Sequence, residues 1–540
     1  MITLESYHVM IVSKYFDTFC DFVHLEMVTK KYRGTINKFH FNPIPLNNHT
    51  LKYFQHIETL HLYSNDDITF GNDYLTNKVN DLIQTRQNTT SKTFFQVIIW
   101  YSVSCYTALT YSSFRYVFKN VAFTCKDVDI YFTCIPRVAT SIALNCFSGC
   151  LTLLSIVLPP KIRTIEDNSF YNCVHLSSIV LPSGLTSIGS NCFSLCSELR
   201  TLRLPKSLQK IGKNCFNGCV SLKTFQMPND AYFIGASCCS SCQKLLEVTL
   251  PTSLTQIPKA AFSKCFSLSQ IAFPKSIKKV CERCFDGCTS LKSVKIPNNI
   301  SSLGKNCFSN CVSLTKVTFE DGNNFLLSLP DDLLSYCYSL ASFVVPIQIS
   351  QIGSNCFKSC KKMTSICITQ KVTVLSKFCF SECVLLSKIT LPSNLCVVGV
   401  SCFFACSALV EIHLPNTVTC IGERAFCECQ ALSKVVLPNA LTELNDGTFM
   451  KCSSLKYVDI PGNVCKIGNN CFRECVALIS IELPESVTKI GEKSFFMCKN
   501  MANVRLKNGL KSVGKDCFCE CNNLNEIFVP TSVTEFGENC

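Results

Sequence analysis

The 540-residue sequence is poor in charged residues and contains no recognisable catalytic motif. Asp, Glu, Lys and Arg make up 16% of the chain, whereas 47% is hydrophobic. This balance is typical of a folded chain and excludes an intrinsically disordered one. The motifs G-x-S-x-G and H-E-x-x-H, the P-loop and the glycine-rich dinucleotide turn are all absent. Only two of the eight histidines, His175 and His413, lie beyond residue 135. We therefore expect neither an enzyme nor a bound cofactor.

Basic residues are not gathered into long runs, although the formal net charge is +13. Small groups occur, such as Lys206, Lys210 and Lys213, but acidic residues are interleaved along the chain. No nucleic-acid-binding motif is present, so we expect no nucleic-acid partner. The small basic groups are typical of solvated loop positions, and a weak preference for an anionic partner is the alternative.

The start of the chain lacks the basic region and the long apolar run of a secretory signal, because Glu5 and Asp17 interrupt it. One uncharged segment, 93–114, is long enough to span a bilayer. It contains Gln96 and several Ser and Thr residues, and its VIIWYSV core is typical of a buried strand. We therefore predict no transmembrane span and a cytoplasmic protein. A cell-surface protein that is exported by an unrecognised route is the alternative.

A phrase of 23 residues recurs through three quarters of the chain. Residues 181–203 read LPSGLTSIGSNCFSLCSELRTLR, and residues 204–226 read LPKSLQKIGKNCFNGCVSLKTFQ. A column that begins at Phe147 holds Phe in 15 of 17 units, and the position three residues later is Cys in all 17. A fixed period of this length is the signature of a solenoid, because stacked units can bury apolar residues that a single unit leaves exposed.

Each unit contains an alternating segment, I-x-L, that is followed by Pro in 14 of the 17 units. The alternation predicts a short strand with one buried face, and Pro ends the strand because it has no N–H group. The I-G pair that comes next, as in Ile188-Gly189, predicts a turn. The Phe and Cys columns are three residues apart, so one helical turn could place both on a buried face.

The phrase LPxxLxxIGxxCFxxCxxLxxI closely resembles the BspA-like subfamily of leucine-rich repeat proteins, over about 135–540. The resemblance implies a leucine-rich repeat solenoid in which each 23-residue coil has a short strand and a turn or short helix. It implies about 17 repeats, of which the last stops in mid-repeat at Cys540. For many relatives it also implies a surface adhesin or antigen.

Residues 1–134 do not fit the 23-residue register, and we predict that they form one capping and accessory region that is mainly helical. Such a cap would cover the open apolar end of the solenoid. Within it, 51–62 shows the pattern F-x-x-I-x-x-L-x-L and is a candidate for a degenerate strand-bearing coil. Segment 4–33 resembles an F-box in the order of its elements, which would imply a substrate adaptor for ubiquitin ligation. It departs from that pattern because Leu4 is followed by Glu5 rather than by Pro.

The 41 cysteines fall mostly into two columns of the repeat. The column three residues after the Phe position begins with Cys150, Cys173, Cys196, Cys219, Cys242, Cys265, Cys288 and Cys311. Eleven more cysteines directly precede the Phe position. We expect buried free thiols whose weak S–H donors can serve a ladder inside the coils, and no metal site. A disulfide ladder, which needs an oxidising compartment, and thiolate-bound metal stay open as alternatives.

The central residue of each I-x-L segment should point away from the core and form an exposed row along the array. This row and the residues that precede each Ile supply the candidate partner-binding residues. They are Arg203, Gln226, Glu247, Lys295, Lys316, Glu411, His413, Tyr457, Asp459, Glu482 and Arg505. Concave solenoid faces commonly bind proteins, so the sequence predicts a non-enzymatic interaction scaffold with a protein partner.

Overall fold

The computed structural model describes residues 5–74, 91–322 and 325–540. From Thr59 onward the chain winds into a parallel β-solenoid of about 19 coils. Its strands pair in parallel with the equivalent strands of neighbouring coils, as Ser155–Val157 does with Ser178–Val180. The predicted solenoid of short strands and turns is therefore confirmed.

The I-x-L segments form one ladder of strands, whose outer surface we call the strand face. In most I-x-L segments, the two outer apolar residues are buried and the middle side chain is exposed: Ile156 and Leu158 are each 4% exposed, whereas Val157 is 68% exposed. The strands of this ladder are Ser155–Val157, Ser178–Val180, Thr224–Gln226, Glu247–Thr249, Ser293–Ile296, Lys316–Phe319, Ser342–Val344, Ser365–Cys367, Lys388–Thr390, Glu411–His413, Lys434–Val436, Ser480–Glu482 and Asn503–Arg505.

A second ladder lies where the sequence predicted only a turn, and this difference corrects the interpretation of the I-G pair. The Ile belongs to a two-residue strand, and the Gly follows directly after it because the neighbouring backbone leaves no room for a side chain. The strands of the second ladder are Ser141–Ile142, Thr164–Ile165, Ser187–Ile188, Lys210–Ile211, Phe233–Ile234, Gln256–Ile257, Lys279–Val280, Ser302–Leu303, Ser328–Leu329, Gln351–Ile352, Val374–Leu375, Val397–Val398, Cys420–Ile421, Glu443–Leu444, Lys466–Ile467, Lys489–Ile490, Ser512–Val513 and Glu535–Phe536.

The third side of each coil is a run of turns that carries the Phe and Cys columns. Here the N–H groups point to carbonyls of the next coil, as Phe193 N does to Cys215 O at 2.8 Å. Asn191 and Leu195 adopt positive φ angles of 52° and 64°. Asn tolerates this left-handed conformation better than most residues, which accounts for its frequency before the C-F pair.

The N-terminal region combines helices with the first strands of the solenoid. The α-helices are α1 (Ser6–Ser13), α2 (Phe19–Val28), α3 (Cys105–Tyr111) and α4 (Cys125–Tyr131). Single 3-10 turns occupy Lys30–Tyr32, Ile36–Lys38 and Leu51–Tyr53, and the strands are β1 (Thr59–Leu62), β2 (Gln96–Ser104) and β3 (Tyr116–Phe123). The strand predicted within 93–114 is confirmed as β2. Among the described residues, the structure contains no helix with the length and apolarity needed to cross a membrane.

The second ladder continues through the predicted boundary between residues 134 and 135. Strand β3 pairs with Ser141–Ile142, and β1 and β2 extend the same sheet. The buried Phe22 of α2 contacts Phe39 and Phe54, with ring centroids 5.9 Å apart in each case. This packing is what a cap would make, and the division into 1–134 and 135–540 stays a prediction. Of the F-box-like segment 4–33, Leu4 lies outside the described residues.

Stacked phenylalanine rings fill the core along the turn side. Phe357 and Phe380 lie 5.4 Å apart with ring planes only 1° from parallel, and the same stacking recurs from coil to coil. Cys239 and Leu334, which occupy the Phe column in two coils, interrupt the stack. Aromatic pairs of this kind contribute roughly 0.5–1.5 kcal/mol each beyond the burial of their area.

The second inward column is a ladder of thiols that bond the coils together. From Cys173 to Cys521, each Cys that follows the Phe column donates its S–H to the carbonyl of the Phe-column residue in the preceding coil. The Sγ to O distance is 3.1 Å for Cys196 to Phe170 and 3.2 Å for Cys406 to Phe380. Cys150, which begins the column, is only half-buried and lies near Thr152 instead. All 41 cysteines are free thiols in the structure.

We expect this thiol ladder to make the protein sensitive to alkali. Burial raises the pKa of Cys173, Cys337 and Cys383 to about 12, from 9.0 for an exposed thiol. The folded state therefore keeps these protons while the unfolded chain releases them, so stability is fully present below pH 9 and is lost as the pH rises beyond it. Well above pH 9 and below its folded pKa, each such thiol lowers the free energy of unfolding by about 1.4 kcal/mol per pH unit. Denaturant unfolding at pH 7.5, 8.5 and 9.5 under reducing conditions measures the loss.

A variant that combines Cys360→Ala, Cys383→Ala and Cys406→Ala provides the control for the loss of stability at alkaline pH. It should be less stable at pH 7.5, because it lacks three buried thiols. Between pH 8.5 and 9.5 its loss of stability should nevertheless be smaller by about 2 kcal/mol. Equal slopes for the variant and the unmodified protein would contradict the assignment.

Replacing Gly399 by Ala should destabilise the array, because neighbouring backbone fills the space that a side chain would occupy. A Cβ on Gly399 would lie 2.7 Å from Lys377 N and 2.7 Å from Ser376 C. Overpacking of this kind costs roughly 1–3 kcal/mol. Gly462→Ala is the matched control, since nothing lies within 4 Å of its added Cβ. Thermal unfolding of the two variants tests the expectation, and equal midpoints would refute the close approach.

Candidate interaction surface

All eleven residues that the sequence singles out for partner binding are exposed on the strand face. They occupy the two positions that flank the buried apolar residue of the strand or of the equivalent segment. In Glu411–His413, for example, Ile412 is 2% exposed and both flanking side chains face solvent. The structure thus brings the candidates onto one surface; whether they bind a partner stays a prediction.

Parallel pairing in register arranges these side chains in straight rows. Gln226 is paired with Thr249, Lys295 with Thr318, and Glu482 with Arg505. Neighbouring positions of a row are therefore separated by the strand spacing of about 4.8 Å. A partner that lies along the array would meet one side chain of each row for every coil that it crosses.

Several candidates form ion pairs with one another at the strand face. Lys507 Nζ lies 2.9 Å from Glu482 Oε1, and Arg505 Nη1 lies 3.8 Å from Glu482 Oε2. The hydrogen bond from Lys507 lowers the pKa of the Glu482 carboxyl. His413 Nε2 lies 3.7 Å from Glu411 Oε2. Exposed pairs of this kind stabilise a protein by about 0–1 kcal/mol at most, so a partner can displace them at little cost.

Within the described residues of the array, four coils have no strand in the strand face, at 201–203, 270–273, 456–461 and 526–528, and open grooves lie beside the second and third of them. Segments 270–273 and 456–461 form no strand, although their sequences keep the repeat phrase. A groove of about 400 Å³ lies between 247–252 and 270–274. Two further grooves, of about 700 and 530 Å³, flank Tyr457 and Asp459 on either side. Candidates Glu247, Tyr457, Asp459 and Glu482 therefore line concave parts of the face.

Beside the strand face, hydroxyl side chains donate to carbonyls of the preceding coil, as Ser177 does to Leu154 O and Thr315 does to Lys292 O, both at 3.0 Å. The second ladder shows the same bonds. The Thr186, Ser301 and Thr488 hydroxyls donate to carbonyls of the preceding coil at 3.0–3.1 Å. Among the described residues, no group of three or more His, Cys, Asp or Glu side chains is arranged to hold a metal ion.

The chain was compared with protein families, with curated proteins and with solved structures. The family described as "BspA type Leucine rich repeat region (6 copies)" matches residues 116–245, 209–328, 327–456 and 419–540, which together cover most of the chain. None of the curated proteins in the comparison matches it.

Several bacterial leucine-rich repeat structures resemble the chain. A leucine-rich repeat protein from Bacteroides ovatus is 26% identical, with 72% of this chain and 81% of that chain covered and a TM-score of 0.39. A leucine rich cell surface protein from Faecalibacterium prausnitzii is 25% identical, with 68% and 83% covered and a TM-score of 0.33. The pneumococcal vaccine antigen PcpA is 17% identical over the same shares, with a TM-score of 0.35. With its 23-residue coils and the match over 116–540, the chain belongs to the BspA-type leucine-rich repeat family.

Proposed function

We propose that the chain is a non-enzymatic scaffold whose strand face binds a protein partner. The observation that carries this proposal is the contrast between the two ladders. On the strand face, varied side chains such as Gln226, Lys295 and Glu482 project in register from a fixed backbone. Most strands of the strand face carry two exposed side chains each, as in Glu411–His413, whereas most of the two-residue strands of the second ladder carry one, as in Lys466–Ile467. Rigid presentation of varied side chains lowers the entropy that a partner loses on binding.

The strand face is also large enough for a stable complex. The regular array of 17 coils extends about 80 Å at the strand spacing. A standard protein interface needs about 800 Å² and 20–30 residues from each side. A partner that crosses about ten coils would find that number of side chains in the two exposed rows and their flanks. The grooves beside Tyr457 supply concave positions for anchoring side chains.

We propose a reducing compartment, the cytoplasm, as the place of this function. The ladder from Cys173 to Cys521 uses each sulfur as an S–H donor to a carbonyl. A disulfide has no S–H group, so oxidation would leave those carbonyls without their second bond. The cell-surface adhesin remains the alternative, and it requires that this ladder persist outside the cell.

Replacing Arg203, Lys295 and His413 together by Ala should weaken capture of the partner without unfolding the array. The three side chains are exposed, so their loss should move the unfolding midpoint by no more than about 2 °C. The immobilised chain is incubated with extract from its native source, and captured proteins are quantified by mass spectrometry.

The control carries Lys210→Ala, Lys279→Ala and Gln351→Ala on the second ladder. A protein that is lost from the strand-face variant and retained by this control supports the proposal. Unchanged capture by both variants would remove the strand face from the function.

A thiol count tests the compartment. Protein taken from its native source is denatured in the presence of an alkylating reagent and kept free of reductant, and we expect close to 41 free thiols. The reason is that a reducing compartment does not support the disulfides that would consume them. Many thiols that become reactive only after reduction would instead favour the surface adhesin.

A further inference from the structure

The net positive charge of the chain is concentrated in one part of the array. Residues 200–316 contain 17 of the 51 Lys and Arg residues but only 4 of the 38 Asp and Glu residues. The remainder of the chain holds equal numbers of both, so the whole formal charge of +13 comes from this stretch. A local excess of this size attracts an oppositely charged partner and accelerates its association.

Many of these cations lie on or beside the strand face. Arg203 and Lys295 belong to its central row, Lys316 to the adjacent row, and Lys223 and Lys292 to its flank. Lys295 has an acidic neighbour, Glu320, at 2.9 Å. In the described part of the chain, no carboxylate lies within ion-pair distance of the other four cations. Their charges are therefore available to a ligand.

The groove of about 400 Å³ lies within this basic stretch. Its lining includes Val248, Leu250, Ile271, Ala272 and Phe273, together with polar groups of the same two coils. The groove lies where segment 270–273 forms no strand. An apolar centre with a charged rim is the usual anatomy of a protein interface.

We propose that the strand face of residues 200–316 binds an extended acidic protein segment whose apolar side chain enters this groove. This inference rests on the proposed function and assigns the chemistry of its partner. Five coil steps separate the coils of Arg203 and Lys316, about 24 Å at the strand spacing. An extended peptide covers that distance with about seven residues.

Two observations favour an acidic protein over a nucleic acid or a sulfated polysaccharide. Glu247 lies on the same face and lines the groove, so it would repel a continuous polyanion, whereas a peptide can place a neutral residue there. The apolar part of the groove lining is aliphatic apart from Phe273, which is only partly exposed and contacts Phe285. The face therefore offers an apolar side chain a better site than it offers a base or a sugar.

The test measures binding of defined probes to the full chain by fluorescence anisotropy. The probes are a 12-residue peptide of alternating Glu and Ser with a central Leu, the same peptide with Ala for Leu, a 12-nucleotide oligothymidylate and a heparin dodecasaccharide. We expect the Leu peptide to bind most tightly, and more tightly than the Ala peptide by about tenfold.

Charge-reversal variants test whether peptide binding depends on the cations of the strand face or only on the net charge of the chain. The variant Arg203→Glu, Lys292→Glu, Lys316→Glu should weaken binding of the Leu peptide by about tenfold or more. The control Lys213→Glu, Lys278→Glu, Lys279→Glu changes the net charge equally on and beside the second ladder, and should weaken it by less than about threefold. Ala272→Trp fills the groove and should make the Leu and Ala peptides bind equally.

The proposal is overturned if both charge variants weaken binding equally, if the oligothymidylate or heparin binds more tightly than the Leu peptide, or if Ala272→Trp leaves the preference for Leu unchanged. Circular dichroism confirms that each variant is folded. If the peptides fail to bind while native partners are still lost from the Arg203, Lys295 and His413 variant, the scaffold function stands and only the acidic partner falls.

Discussion

The close approach of neighbouring coils on three sides is the constraint on which the rest of the structure depends. Backbone groups of one coil are satisfied by the next, as in the bonds from Gly399 N to Leu375 O at 2.8 Å and from Phe357 N to Cys379 O at 3.0 Å. Because the same groups meet at each step, an inward side chain meets its own copy. Phe therefore stacks on Phe, and each thiol meets the carbonyl of the coil before it. The 23-residue repeat follows from this requirement, because equivalent inward positions must hold residues that pack against their own copies.

The strand ladder of the I-x-L segments follows directly from the sequence, since alternation and the terminal Pro each have one physical interpretation. The second ladder does not, because two residues are too few to show alternation. The glycine of the I-G pair was also interpreted wrongly, as a residue required by a turn. Gly399 is not in the left-handed region; it is required because backbone of the preceding coil lies where a side chain would be. Conversely, the left-handed positions of the turn side are often occupied by Asn, as at Asn191 and Asn214, and that signal was present in the phrase.

The N-terminal coils show why a fixed period predicts only part of a solenoid. Strand β1 lies in 51–62, where the sequence predicted a degenerate coil, and it pairs with β2 although more than thirty residues separate the two strands. A coil requires a strand that can pair in the ladder. The connection to that strand can vary widely in length, because closing a longer loop costs little additional entropy. A search for spacing therefore recognises coils that have short connections and misses those with long ones.

The exposed rows of the strand face were predictable because alternation alone decides which side chains point outward. The grooves were not, since 270–273 and 456–461 keep the repeat phrase and yet form no strand. This division has a functional consequence. Inward positions must repeat because each inward side chain packs against the next coil, whereas the outward side chains of the strand face are exposed to solvent. Residues such as Arg203 and His413 can therefore change with little effect on stability while the array that presents them stays the same.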